Sequence, residues 1–216
     1  MKKTGILITL MVLAAVPAAA QDRAGTFEIS PFAGGNFGGS LYSYTGPSTP
    51  YVKLDVGDSA AYGARFAYNF SRWAAIEFAW AHSSSGLYTG PSGAFAPQTK
   101  VGTFDNDAFE ANGVFSFTKG KVVPYFTVGG GVNSMKLSTT TGGSSSSTRF
   151  VGNMGIGMKF WIDPHFGIRI EGKVRSTNVG NNGSSCGNHN YCDNNYYYDS
   201  SWYTSGEATG GLSFAF

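Results

Sequence analysis

Charge is scarce in this 216-residue chain: Asp, Glu, Lys and Arg make up 13% of it, about half the share in an average globular protein. That leaves few charged side chains of the kind that line solvated helix faces. A surplus of one sign is missing as well. Of 15 Lys and Arg, Lys2 and Lys3 fall in an N-terminal segment that reads as removable, which leaves 13 basic against 13 acidic residues. A neutral chain offers no electrostatic footprint for nucleic acid or for an acidic partner. No run is long and apolar enough for a membrane helix: the stretch from Gly5 to Val16 falls short of the roughly 20 residues required. After residue 20, no segment carries helical periodicity. Cysteine is limited to Cys186 and Cys192.

What is abundant points to strands. The 31 Gly, 17 Phe and 12 Tyr are poor helix formers and suit strands joined by turns. Residues 1–20 read as a cleaved secretory signal peptide, with Lys2 and Lys3 as its basic start and Ala18, Ala19 and Ala20 as its small-residue cleavage site. Residues 21–216 then form one domain.

Period-two alternation recurs along that domain and predicts eight strands, at about 25–35, 58–69, 73–83, 107–117, 122–133, 149–160 and 166–175, with the last over Glu207 to Phe216. One parity is apolar, as in Ile76, Phe78 and Trp80 or Phe166, Ile168 and Ile170. The other is polar: all five glutamates fall on it, and no charge is expected on the apolar one. Connections alternate between long polar loops (about 36–57, 84–106, 134–148 and 176–203) and short turns (about 70–72, 118–121 and 161–165). That rhythm predicts an all-β fold, an eight-stranded antiparallel up-and-down transmembrane barrel with its termini periplasmic and its long loops extracellular. A soluble β-sandwich would need no aromatic girdle. Here Phe70, Trp73, Phe117, Trp161, Phe166 and Phe216 gather near the short turns, and Trp80 near the far end.

The signal peptide, the opening FEISPFAGGNFGG, the central VVPYFTVGGGVN, the later FGIRIEGKVR and the ending GLSFAF together resemble the eight-stranded outer-membrane barrels of the OmpA-like superfamily. The resemblance covers residues 21–216 without a following periplasmic peptidoglycan-binding domain. It implies a small integral outer-membrane protein with adhesion, envelope-integrity or host-contact roles. It also implies that Leu212, Phe214 and Phe216 serve as the signal that barrel-assembly machinery reads.

Four groups of residues are candidates for function. Glu28, Glu77, Glu110, Glu171 and Glu207 face Arg65, Arg149, Lys159, Arg169, Lys173 and Arg175 on the interior parity. An eight-stranded bore is narrow enough for side chains to fill, so these charges read as a salt-bridge network that closes it. The alternative is a gated channel for small solutes or ions. Cys186 and Cys192 read as a disulfide in an exported protein. A metal site with His189 and Asp193 is the competing reading, but its spacing fits no common zinc motif, and neither metal nor cofactor is expected. The loop 176–203, rich in Tyr, Trp and Asn, reads either as a surface-ligand contact or as an extension of the aromatic belt. Outer-membrane lipids and lipopolysaccharide are the expected surroundings. His82, with Ser83, Ser84 and Ser85 nearby, is the only candidate for a lipid-modifying centre, and no sequence neighbour orients its imidazole. The expected role is therefore structural and non-enzymatic.

Overall fold

A computed structural model describes residues 23–46, 49–91, 98–178, 197–199 and 202–216. The signal segment and both cysteines lie outside the described residues. The strands are β1 (Thr26–Phe37), β2 (Ser40–Gly46), β3 (Thr49–Val56), β4 (Ser59–Asn69), β5 (Ala74–Pro91), β6 (Thr99–Ser116), β7 (Val122–Thr139), β8 (Ser144–Trp161), β9 (Phe166–Asn178), β10 (Tyr197–Asp199) and β11 (Trp202–Ala215).

Eight of them close a ring. Each of β4 to β8 pairs antiparallel with its successor, β9 pairs with β11, β11 with β1, and β1 with β4. Closure falls on the two chain ends: Ile29 lies opposite Phe214, and Phe27 and Phe216 exchange backbone hydrogen bonds at 2.9 and 3.0 Å. A closed ladder leaves no edge, which is the condition for strands to stand in lipid.

Alternation explains which way each side chain faces. On β5, Ile76, Phe78 and Trp80 are exposed outward, while Ala75, Glu77 and Ala79 are buried within. Along β11 and the Phe216 that follows it, Leu212, Phe214 and Phe216 face out, and Glu207, Thr209 and Ser213 face in. A soluble barrel would reverse this, with apolar residues inside and charges outside. Here the large apolar side chains coat the exterior.

The long connections are shorter than the sequence predicts. β5, β6, β7 and β8 each run for 18 residues, where about 9–11 suffice to cross a bilayer. The expected loop 134–148 is mostly strand, and it turns over Thr140 to Gly143 with Gly142 at φ 92°. Ser and Thr runs masked this extension, because above an apolar band both faces of a strand can be polar. What holds the tall wall together is an inward apolar cluster at its far end, Val56, Leu87, Phe104, Met135 and Tyr203. Tyr203, which the sequence places at the end of the long loop 176–203, is 1% exposed and packs edge-on against Phe104 at 5.7 Å. The first long connection folds too. β2 and β3 pair with each other, β3 continues along the upper part of β5, and β10 adds to β2.

Candidate functional site

Among the described residues, the interior holds ten buried charges. Glu28, Arg65, Glu77, Glu110, Lys159, Arg169, Glu171, Lys173, Arg175 and Glu207 are each 4% exposed or less. The set is five acids against five bases, so it balances within itself. Strand β9 supplies Arg169, Glu171, Lys173 and Arg175 at alternate positions, a ladder of inward charges about 7 Å apart along the strand. The opposing charges come from β1, β4, β5, β6, β8 and β11.

The contacts run through the barrel in tiers. Nearest the short turns, Lys159 Nζ donates to Glu28 Oε2 at 2.7 Å. In the middle, Arg169 donates to Glu77 Oε2 and to Glu171 Oε2, each at 2.5 Å. Tyr125 from β7 completes this tier: its hydroxyl accepts from Arg169 Nε at 2.7 Å and donates to Glu171 Oε2 at 2.6 Å. Arg65 bonds the other Glu171 oxygen at 3.1 Å and Thr209 at 3.0 Å. Its guanidinium also lies 3.8 Å from the Phe32 ring centre. Above them, Arg175 joins Glu110 and Glu207 at 2.5 and 2.6 Å, and Lys173 bonds Glu110 at 3.0 Å. All eight ring strands therefore contribute to one cross-linked core. Charges buried this deeply persist only when they are paired and hydrogen-bonded.

Two predicted positions differ. Arg149 shares the inward parity but stands near the long-loop end, half-buried, and donates to Ser147 Oγ at 2.9 Å. It belongs to the mouth and not to the network, and its departure turns five against six into an exact balance. Trp161, expected in the outer aromatic girdle, is 4% exposed and packs with Val123 and Ala215. It has the same parity as Lys159, which was the available signal. Phe70, Trp73, Trp80, Phe117 and Phe216 face out, and Phe166 is half-buried beside Phe214 at 5.4 Å.

Inside the short-turn mouth, Arg23 lies 3.7 Å from the Trp161 ring centre. Burial lowers its guanidinium to about 10, against the pull of Glu28, so it remains a cation at neutral pH. With Glu28, Lys159 and Trp161 it lines a cavity of about 30 Å³, a space on the scale of one or two waters. At this end, too, side chains fill the bore.

The exterior brings together residues the sequence did not connect. Asp107 shares the parity of Phe109, where no charge was expected. Its Oδ1 lies 2.9 Å from His82 Nδ1 and accepts from Trp80 Nε1 at 3.2 Å. The imidazole therefore has an orienting carboxylate, supplied by the β5–β6 register that pairs His82 with Asp107. Ser84 donates to Asp105 at 2.6 Å. Among the described residues no three His, Cys, Asp or Glu converge as a metal site.

The sequence profile of the outer membrane protein beta-barrel domain matches residues 6–205. Among curated proteins none matches the chain. Among solved structures, OprG from Pseudomonas aeruginosa superposes with a TM-score of 0.58 at 14% identity, covering 90% of this chain and 97% of its own. Neisserial surface protein A gives 0.52 at 13% identity, with 88% and 97% covered. The outer membrane protein AlkL, solved in lipid bilayers, gives 0.55 at 12% identity, with 93% and 95% covered. At these identities the likeness concerns the fold.

Proposed function

The chain belongs to the outer membrane protein beta-barrel domain family and so is an integral outer-membrane protein, and on that premise we propose that it is a closed structural barrel whose work is surface contact rather than transport or catalysis. The observation that carries this reading is the balanced interior network. Five acids and five bases, all 4% exposed or less, span the bore from every side and neutralise one another. The apolar cluster at the long-loop end and the Arg23–Trp161 stack at the other are further barriers in series.

The tall wall gives the closed barrel its use. Its upper strands stand beyond the apolar band and carry the long connections outward, with the termini on the periplasmic side. Catalysis has no place in this reading. The His82 imidazole is oriented by Asp107, yet the Ser84 hydroxyl is engaged with Asp105. Liposome swelling tests the closed reading. Vesicles carrying the folded barrel should swell in small sugars no faster than empty ones, and faster swelling makes it a narrow channel.

Two further expectations concern the ends of the chain. Cys186 and Cys192 form a disulfide on the cell surface. An impermeant maleimide should label intact cells only after reductant is added; labelling without reductant means free thiols, and none with reductant means the loop is not outside. Phe216, exposed and stacked 6.4 Å from Phe27 at the closure, ends the assembly signal. Phe216→Ser should lower the amount of heat-modifiable barrel in the outer membrane several-fold, and unchanged levels would remove that role.

A further inference from the structure

The exterior wall is not uniform. Across β4 to β7, antiparallel register sets Phe66, Phe78, Ala111 and Gly130 side by side in one row, and Ala64, Trp80, Phe109 and Val132 in the next row outward. Small residues lie among large ones, so the surface is indented. The result is an apolar groove of about 570 Å³ floored by Ala64, Ala111 and Gly130, within the roughly 300–1,000 Å³ of small-molecule sites. Its walls are exposed: Phe78 is 56%, Phe109 52% and Trp80 37% accessible. In an outer-membrane protein this face meets hydrocarbon.

A polar head closes one end. The next row outward is Tyr62, His82, Asp107 and Ser134. Trp80 belongs to both features, because its ring walls the groove while its Nε1 donates to Asp107. An ionised Asp107 only accepts, so His82 donates through Nδ1 and leaves Nε2 for a ligand. Tyr62 packs at 5.2 Å from the imidazole and at 6.1 Å, edge-on, from Trp80, which fixes the cluster. One row further, Ser84, Asp105 and Lys136 are aligned, and exposed Lys136 stands about 7 Å beyond the His82 level.

We propose that this face is a binding site for one molecule of the outer leaflet's phosphorylated glycolipid, lipid A. An acyl chain lies in the groove, and the headgroup meets His82 Nε2 and Lys136. The match is chemical. An apolar trough opening into hydrocarbon takes a chain, and an oriented imidazole with a cation behind it takes sugar hydroxyls and phosphate. Asp107 Oδ1 is taken by the His82 and Trp80 donors and Asp105 accepts from Ser84 opposite Lys136, so sugar hydroxyls meet His82 and the phosphate reaches outward to Lys136. The assignment rests on the outward direction of the long loops proposed above.

Native mass spectrometry of the full chain, refolded in detergent and titrated with lipid A or with phosphatidylethanolamine, tests it. The wild type should carry one lipid A in preference to phosphatidylethanolamine. Ala111→Leu fills the trough and should weaken that adduct about tenfold or more, the loss of roughly 1.4 kcal/mol. His82→Ala should reduce lipid A retention and leave phosphatidylethanolamine unchanged. Gly172→Leu is the control, on the exterior of β9 where an added Cβ meets nothing within 4 Å, and it should bind like the wild type. Equal binding by Ala111→Leu and Gly172→Leu overturns the site, as does no preference for lipid A, or a second copy of the chain in place of lipid. Heat-modifiability separates the two levels: an intact wild-type barrel that shows no preference for lipid A condemns only the site, whereas no heat-modifiable barrel condemns the membrane reading as well.

Discussion

Arg169→Met should cost the folded barrel about 3–5 kcal/mol, the penalty for breaking a buried ion pair from one side. Arg169 is the node of the middle tier, bonded to Glu77, Glu171 and Tyr125. A methionine of similar length fills the space but leaves Glu77 and part of Glu171 uncompensated at 4% exposure or less. The charges cannot turn to solvent, because neighbouring tiers lie on both sides. Urea unfolding of the barrel in vesicles, followed by heat-modifiability, measures the loss. A double variant that also carries Glu77→Gln should recover part of it, since a neutral amide needs no counter-charge. A loss below about 1 kcal/mol would match a solvated surface pair and mean that water reaches the tier.

Ile156→Arg probes the other face of the same wall. Ile156 is 64% exposed on β8, opposite Phe126 and Gly172 on the neighbouring strands. In a water-soluble barrel an exposed Ile accepts Arg within about 0.5 kcal/mol. Facing hydrocarbon, the same change should cost about 2–4 kcal/mol near the bilayer midplane. Ser146→Arg on the same strand and the same parity, but in the part that rises beyond the apolar band, should be close to neutral. Reversible folding into vesicles gives both values. A small effect for Ile156→Arg would contradict the bilayer placement, and a large effect for Ser146→Arg would mean that the band is taller than the apolar rows.

Much of this architecture was legible because a strand reports its faces by parity alone. Glu28, Glu77, Glu110, Glu171 and Glu207 could be put inside one by one without knowing any partner. The partners were not legible. Arg175 meeting both Glu110 and Glu207, or His82 meeting Asp107, depends on register, which closure of β1 on β11 sets for the whole ring. Tyr125 was missed as a member of the network for a related reason. A tyrosine on a strand of mixed faces reads as packing until Arg169 and Glu171 arrive from the other side of the bore. The strand ends failed differently. Once both faces turn polar, Ser144 to Thr148 carry no alternation, and only the inward cluster around Phe104 and Met135 reveals why those residues remain paired. Trp161 was an avoidable miss, because its parity with Lys159 outweighs its position near a turn.

The central claim is that ten paired charges close the barrel, and single-channel recording in a planar bilayer tests it most directly. The folded wild-type protein is predicted to give no reproducible conductance steps at neutral pH. Reproducible steps whose size changes in Glu77→Gln or Arg169→Gln would contradict it, because current would then be passing through the tier that is said to be shut.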